Sequence, residues 1–191
     1  MILITTSRRP TQRIRSFIKD LARSIPNAVK RNRGKASTED LCIEAVARGL
    51  PRVLIVERWK GNPGMLRFIL AAPRLCEQIR TAFILKGITL SREIGLKSRR
   101  KTDKRELIIA APSNAGKESQ TLCEELAFCL GEHIAVEHIN ISRKPEGYEE
   151  YSVLALTAWN QGWKFTFYDG ETWDETGPRF TIKGVWTFGK A

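Results

Sequence analysis

Three groups of residues in this sequence are of types that could do chemistry. The densest is basic. Arg8, Arg9, Arg13, Arg15, Lys19, Arg23, Lys30, Arg31, Arg33 and Lys35 all fall within residues 2–35, where Asp20 is the one acid. Guanidinium forks and ammonium groups at that density fit phosphate oxygens, so the chemistry they imply is the binding of a polyanion. The second group is Ala111-Pro112-Ser113-Asn114-Ala115-Gly116-Lys117-Glu118, which has the look of a phosphate-cradling loop between a strand and a helix. The pattern G-x-x-x-x-G-K-[ST] fails twice there, because Ala111 replaces the first glycine and Glu118 replaces the Mg²⁺-binding hydroxyl. A carboxylate in that place would repel phosphate, so no nucleotide cofactor is expected. The third group is Cys123, Cys129, His133 and His138. A Cys₂His₂ site needs a closely spaced cysteine pair and a longer gap before the histidines. These cysteines sit on one helix at positions roughly 120° out of phase, which reads as buried thiols, and no metal is expected. No nucleophile, base and carboxylate come together in the pattern, so the chain reads as a binding protein and not as an enzyme.

The elements that must position the basic residues can be read from periodicity. Ile2 to Thr6 is a short apolar strand, and Ser7-Arg8-Arg9 leads into a helix whose first turn suits Pro10. Ile14, Phe17, Ile18, Leu21, Ala22 and Ile25 recur at helical spacing as one apolar face. Arg15, Lys19 and Arg23 then stack on a flank directed away from that face. The strip ends in Lys30-Arg31-Asn32-Arg33-Gly34-Lys35. Ser37 and Asp40 form a near-capping box for a second helix carrying Leu41, Cys42, Ala45 and Val46, ended by Gly49 and Pro51. Strands over 52–57 and 65–71 flank the turn at 60–64 and predict a hairpin. Leu75, Cys76, Ile79, Ala82 and Phe83 predict a third helix starting at Pro73 and stopping at Gly87, with a strand over 88–94 after it.

Residues 95–105 are polar, aperiodic and basic, and read as a linker. The opening pattern then returns: a strand over 107–111 and a helix ending at Gly131. With an offset of 105, Leu3 and Ile4 meet Ile108 and Ile109, while Phe17, Ile18, Leu21 and Ile25 meet Leu122, Cys123, Leu126 and Leu130. Either a duplication or two unrelated strand–helix units could give this. Strands follow over 134–139, 151–159, 163–168 and 179–188. The class is α/β, with helices on the faces of mixed sheets. Trp159, Trp163, Phe165, Phe167, Tyr168, Trp173, Phe180, Trp186 and Phe188 could stack bases. Their alternation along strands in an acidic region instead assigns them to core and hairpin packing, with Trp163 or Trp173 left for a partner.

A chain of 191 residues can bury one good core, or two small ones packed together. Charged residues at 28% and hydrophobic ones at 42% place it in the ordinary globular class. The net charge of +11 is uneven: residues 1–105 hold 25 Lys and Arg against 8 Asp and Glu, residues 106–191 hold 7 against 13. That asymmetry argues for a basic face toward nucleic acid and an acidic part for solvent or a protein partner. No apolar run approaches the length of about 20 residues that spans a membrane, so a cytoplasmic location is expected. The four cysteines, each in an apolar helical pattern, are expected to be reduced and buried.

Ile4-Thr5-Thr6-Ser7-Arg8-Arg9-Pro10, a basic helix, and then Asn32-Arg33-Gly34-Lys35 resemble the start of the Brix domain of ribosome-biogenesis proteins. Gly177-Pro178-Arg179-Phe180-Thr181-Ile182-Lys183, followed by Trp186-Thr187-Phe188-Gly189, resembles the closing strand of that domain. Gly61 to Phe68 sits where the family has a turn and a strand, although the family's usual Gly-Pro-Thr is Asn62-Pro63-Gly64 here. The resemblance is to the small-subunit members associated with small nucleolar RNA and to their short archaeal counterparts. It implies one Brix domain over 1–191, built of two tandem similar halves, each a mixed sheet with flanking helices like an anticodon-binding domain. These would be a basic half over 1–94, the linker over 95–105 and an acidic, strand-rich half over 106–191. It also implies a factor that binds pre-ribosomal RNA, assists its processing and small-subunit assembly, and meets other assembly proteins through the acidic half. The RNA-binding residues are expected to be Ser7, Arg8, Arg9, Arg13, Arg15, Lys19, Arg23, Lys30, Arg31, Asn32, Arg33 and Lys35. Lys97, Arg99, Arg100 and Lys101 would form a second patch, with Arg179 from the closing motif. The rival readings are a tRNA-binding accessory module and a phosphate-handling enzyme around Lys117.

Overall fold

A computed structural model describes residues 1–96, 102–104, 106–113, 116–159 and 162–189. In chain order the elements are β1 (Ile2–Thr6), α1 (Gln12–Ser24), β2 (Val29–Lys30), α2 (Thr38–Ala47), β3 (Arg52–Trp59), β4 (Asn62–Ala72) and β5 (Leu75–Thr89). A 3₁₀ turn at Ser91–Ile94 follows, and then β6 (Glu106–Ala111), α3 (Lys117–Leu130), β7 (Ala135–His138), β8 (Tyr151–Trp159), β9 (Gly162–Asp169) and β10 (Arg179–Thr187). All the strands join one ten-stranded mixed sheet in the order β2-β1-β3-β4-β5-β10-β9-β8-β6-β7. The separate sheets expected for each half are therefore one sheet, because β5 and β10 pair antiparallel from Arg179↔Thr89 to Thr187↔Thr81.

Strand order and sense read the same outward from that seam on both sides. β1 is parallel to β2 and β3, as β6 is to β7 and β8. The hairpins β3–β4 and β8–β9 are both antiparallel. Among the described residues the α-helices differ, two on the first side against one on the second. Period-2 alternation splits the apolar residues between the sheet's faces. Ile2, Ile4, Leu54, Val56, Phe68, Phe83, Ile109, Leu154, Phe165, Phe167, Phe180 and Ile182 share a core with the apolar stripes of α1 and α3. On the other face α2 covers Leu3, Val53, Ile55 and Ile69. Beneath β6 and β8 two loops take the helix's place, with Ile139 and Tyr148 of one and Trp173 of the other packed on Ile108, Ala110 and Val153.

Local chemistry fixes the helix ends. The Thr11 hydroxyl caps α1 by accepting from the Ile14 N–H, and Ser37 and Asp40 close a full capping box on α2. The same Ser37 N–H and hydroxyl hold the Asp40 carboxyl below its ordinary range. Each helix on the shared core crosses the seam. Ser152 of β8 donates from its hydroxyl to the Ser24 carbonyl at the end of α1, at 2.7 Å. In return Arg52, 1% exposed at the start of β3, lies over the Phe128 ring of α3 at 5.7 Å. Gly177 sits where a Cβ would come within 2.2 Å of the Ser24 hydroxyl, which gives the closing motif its glycine a steric reason.

Besides the separate sheets, the strand expected over 88–94 is instead the end of β5 and a 3₁₀ turn at Ser91–Ile94, and two further expectations fail. Residues 75–89 form a strand and not a helix. Pro73 and Arg74 (φ 65°) are the central pair of a tight turn joining Ala72 to Leu75, so the proline starts a hairpin. Leu75, Cys76, Ile79, Ala82 and Phe83 have helical spacing and no strict alternation, and pairing with β4 on one side and β10 on the other overrides that local pattern. The second failure follows from the first. Cys42 and Cys76 form a disulfide with Cα atoms 5.8 Å apart, because the β4–β5 turn carries Cys76 back over α2. Only Cys123 and Cys129 remain as buried thiols, and burial pushes both up to about 12.

Candidate nucleic-acid interface

Parallel pairing of β1 with β2 and β3 brings the carboxyl ends of three strands to one edge of the sheet. Ligands of open α/β sheets bind outside such edges. From β1 leave Ser7, Arg8 and Arg9; from β2 leave Arg31, Asn32 and Arg33; β3 ends in Arg58 and Trp59, with Lys60 in its turn. The segments are tied together. The Ser7 N–H donates to the Val56 carbonyl at 3.0 Å, and the Arg31 N–H to the Ile4 carbonyl at 2.9 Å. The Thr11 hydroxyl donates to the Gly61 carbonyl at 2.7 Å, which sets the start of α1 against the β3–β4 turn.

Arg33 is the centre of this edge. Only 8% exposed, it donates from Nε to the Ala36 carbonyl at 3.1 Å. Burial first, and then the charges of Arg67 and Arg8, lower its guanidinium from the ordinary value. The surrounding cations are only partly compensated. Arg31 pairs with Glu44 at 2.7 Å and Arg67 with Glu57 at 2.8 Å. Like charges held this close repel, and an anion seated among them relieves that repulsion. Arg8, Arg9, Lys30, Asn32 and Lys35 surround the cluster as exposed residues, with Lys30 Nζ donating to Asn32 Oδ1 at 3.0 Å.

The basic residues of α1 divide by flank. Arg15 and Lys19 are exposed and Arg23 is half-buried, and among the described residues no carboxylate lies within ion-pair distance of them. Arg13 is turned the other way. Its guanidinium grips both oxygens of Glu93 and donates to the Ile88 carbonyl at 3.0 Å, which fixes α1 to the segment after β5. Arg179 is likewise held by both oxygens of Glu175, at 2.7 and 2.6 Å. Lys97, Arg99, Arg100 and Lys101 lie outside the described residues. Lys104 of the same linker turns inward, with Nζ at 2.8 Å from Glu171 and 3.7 Å from Asp169.

The expected site residues thus fall into an edge cluster, a free helix flank and a set engaged by the protein's own carboxylates. Arg58, Trp59, Lys60 and Arg67 also belong to the edge, although the sequence reading passed over them. Their signal was the parallel neighbour relation of β1 and β3, which no local pattern carries. On the far side of the molecule Lys117 opens α3 beside Glu118, with Glu125 along the same helix. Among the described residues no group of three or more His, Cys, Asp or Glu could hold a metal ion, and no helix is long and apolar enough to cross a membrane.

No family model matches the chain. Individual relatives do. Over 116 residues it is 44% identical to a "Probable Brix domain-containing ribosomal biogenesis protein" of Aeropyrum pernix, a stretch covering 59% of this chain and 62% of that one. Over 98 residues it is 47% identical to a protein of the same description from Thermococcus kodakarensis, covering 51% and 47%. These matches span about half the length of the curated relatives. The crystal structure of a "probable ribosomal biogenesis protein" from Aeropyrum pernix matches across nearly the whole fold: 32% identity, a TM-score of 0.77, and 95% and 94% of the two chains covered. The chain belongs to the Brix-domain family of ribosomal biogenesis proteins. An archaeal Imp4-like protein has the same fold, with a TM-score of 0.67 at 21% identity and 98% of this Brix chain covered. The opening motif, Ile4 to Pro10, and Asn32 to Lys35 share one location in the fold, the carboxyl edge of β1 and β2.

Proposed function

We propose that this Brix-domain chain is a non-enzymatic RNA-binding factor that holds pre-ribosomal RNA during its processing and small-subunit assembly. The observation that carries the reading is the buried Arg33 among Arg8, Arg31 and Arg67 at an open parallel-strand edge, with more guanidinium charge than local carboxylate. The edge cluster and the Arg15–Lys19–Arg23 flank of α1 form one phosphate-binding surface, joined where α1 begins beside Arg9. Residues 1–191 act as a single domain, since the sheet runs through both halves. Its acidic second half faces other assembly proteins, and the protein works in the cytoplasm. Neutralised phosphates let two RNA segments approach each other, and contacts to the backbone carry affinity with little sequence information.

The test is RNA affinity across a salt series. Changing Arg15, Lys19 and Arg23 together to Gln should leave the melting temperature unchanged, since Gln is a comparable helix former. It should weaken binding and flatten the log K against log salt slope by about 2, at roughly 0.7 per lost contact on a single strand. The control is Lys144, Lys164 and Lys183 to Gln, which removes equal charge from the acidic half. Equal losses in both triple variants would reduce the effect to net charge and defeat the assignment of the face. Competition between ribosomal RNA fragments and tRNA, with crosslinking in cells, identifies the RNA.

A further inference from the structure

We propose that Trp59 is a stacking platform for an unpaired RNA base at the basic edge; the inference rests on the reading that this edge binds RNA. Trp59 ends β3 and is 69% exposed, which is unusual for the largest side chain in the protein. Its backbone is nonetheless fixed. The ladder with β4 runs to the pair Trp59↔Asn62, and a Cβ on Gly64 would come within 2.3 Å of the Trp59 Cβ, so the bulge closes around the tryptophan's stem. The tip is also tied to its surroundings, through the Gly61 carbonyl to Thr11 and through Arg58, which donates to the Arg9 carbonyl at 3.4 Å. A ring presented from a fixed backbone loses little conformational freedom when it binds.

Comparison with the other hairpin sharpens the point. Trp159 occupies the same place at the end of β8, paired with Gly162, but Lys164 lies over its ring at 4.6 Å. Among the described residues no aromatic ring or cation covers Trp59. Charge selects the occupant. Arg8, Arg9, Arg58 and Lys60 are exposed around the hairpin's tip, and the hairpin's one acid, Glu57, is paired with Arg67. Cations that track a phosphate backbone beside an open aromatic ring are how single strands are held without sequence preference. A duplex keeps its base faces stacked inside and offers nothing to such a ring. The site therefore distinguishes unpaired segments from helices.

The experiment compares a short single-stranded oligoribonucleotide with an RNA duplex, using the full chain. W59L should weaken single-strand binding by about tenfold, the scale of one lost base–aromatic stack, and leave the duplex affinity unchanged. The salt slope should not move, since no phosphate contact is lost, and W59F should recover most of the affinity. Single-strand binding should quench tryptophan emission in the wild type, and that quench should be missing in W59L. Equal single-strand affinity of W59L and wild type, or an equal loss on both RNAs, overturns the stacking role. If the wild type binds neither RNA, the RNA-binding reading itself falls and takes this inference with it.

Discussion

At the scale of single residues, the positive charges of the first half have three different roles. Arg33 is buried among other guanidinium groups, Arg15 and Lys19 are open to solvent, and Arg13 is bound to Glu93. R13Q strands Glu93 and should lower stability by about 1 kcal/mol, the upper end for such pairs, or about 2–4 °C in melting temperature. R15Q should change neither. The Arg13 guanidinium, and then the Leu90 N–H, hold the Glu93 carboxyl below its ordinary value of 4.5. A depressed carboxylate adds stability that is present above the ordinary value and lost as pH falls through the folded one. Acid titration of stability should therefore show a limb below about pH 4.5 that E93Q reduces. The cysteines give a second check. Thiol titration at about pH 8 should find no reactive cysteine in the native protein, because Cys123 and Cys129 are buried and protonated. Denaturant should expose two, and denaturant with a reductant four. Replacing Cys42 and Cys76 by Ser opens a loop of 34 residues, for which a loss of about 3–4 kcal/mol is expected.

At the scale of elements, β1, α1, α2 and α3 were legible because their patterns are local. An apolar stripe at 3.6 spacing, a capping box and a terminating glycine each act within a few residues. β5 was not legible, since its apolar residues have helical spacing and the arbiter was a pair of neighbours, one of them β10 about 100 residues on. The disulfide was hidden by the same error. In the candidate site, charge density was plain in the sequence and its neutralisation was not. Glu93 stands 80 residues from Arg13 and Glu44 stands 13 from Arg31. Trp59 was missed because its setting depends on which strand lies beside β3. The contact between the end of α1 and the closing motif makes a prediction for elements. G177A must displace Ser24, whose hydroxyl lies 2.2 Å from the new Cβ, or the Phe167 ring at 2.9 Å. Overpacking of this kind costs about 1–3 kcal/mol, measurable by denaturant unfolding. G34A, where a Cβ meets nothing within 4 Å but φ is +56°, separates backbone strain from crowding.

At the scale of the whole molecule, the two sides hold each other. The β5–β10 pairing, the Ser152–Ser24 hydrogen bond and the Arg52–Phe128 contact all cross between them. Residues 1–96 expressed alone should therefore show no cooperative thermal transition, and mixing with residues 97–191 should restore one, followed by circular dichroism. Independent cooperative unfolding of either piece would show that the sides are separate folding units. The place of β10 has a further consequence, for biosynthesis. The last of the described strands, β10, takes an interior position between β5 and β9 and brings Phe180 against Phe17 and Phe165. Until Thr187 has left the ribosome's exit tunnel, a nascent chain carries two unpaired inner strand edges and an uncovered aromatic cluster. Such edges invite wrong partners, and pairings this distant in sequence form slowly. Folding of this sheet thus closes only after Thr187 has emerged, and until then the open edges of β5 and β9 are free to take wrong partners.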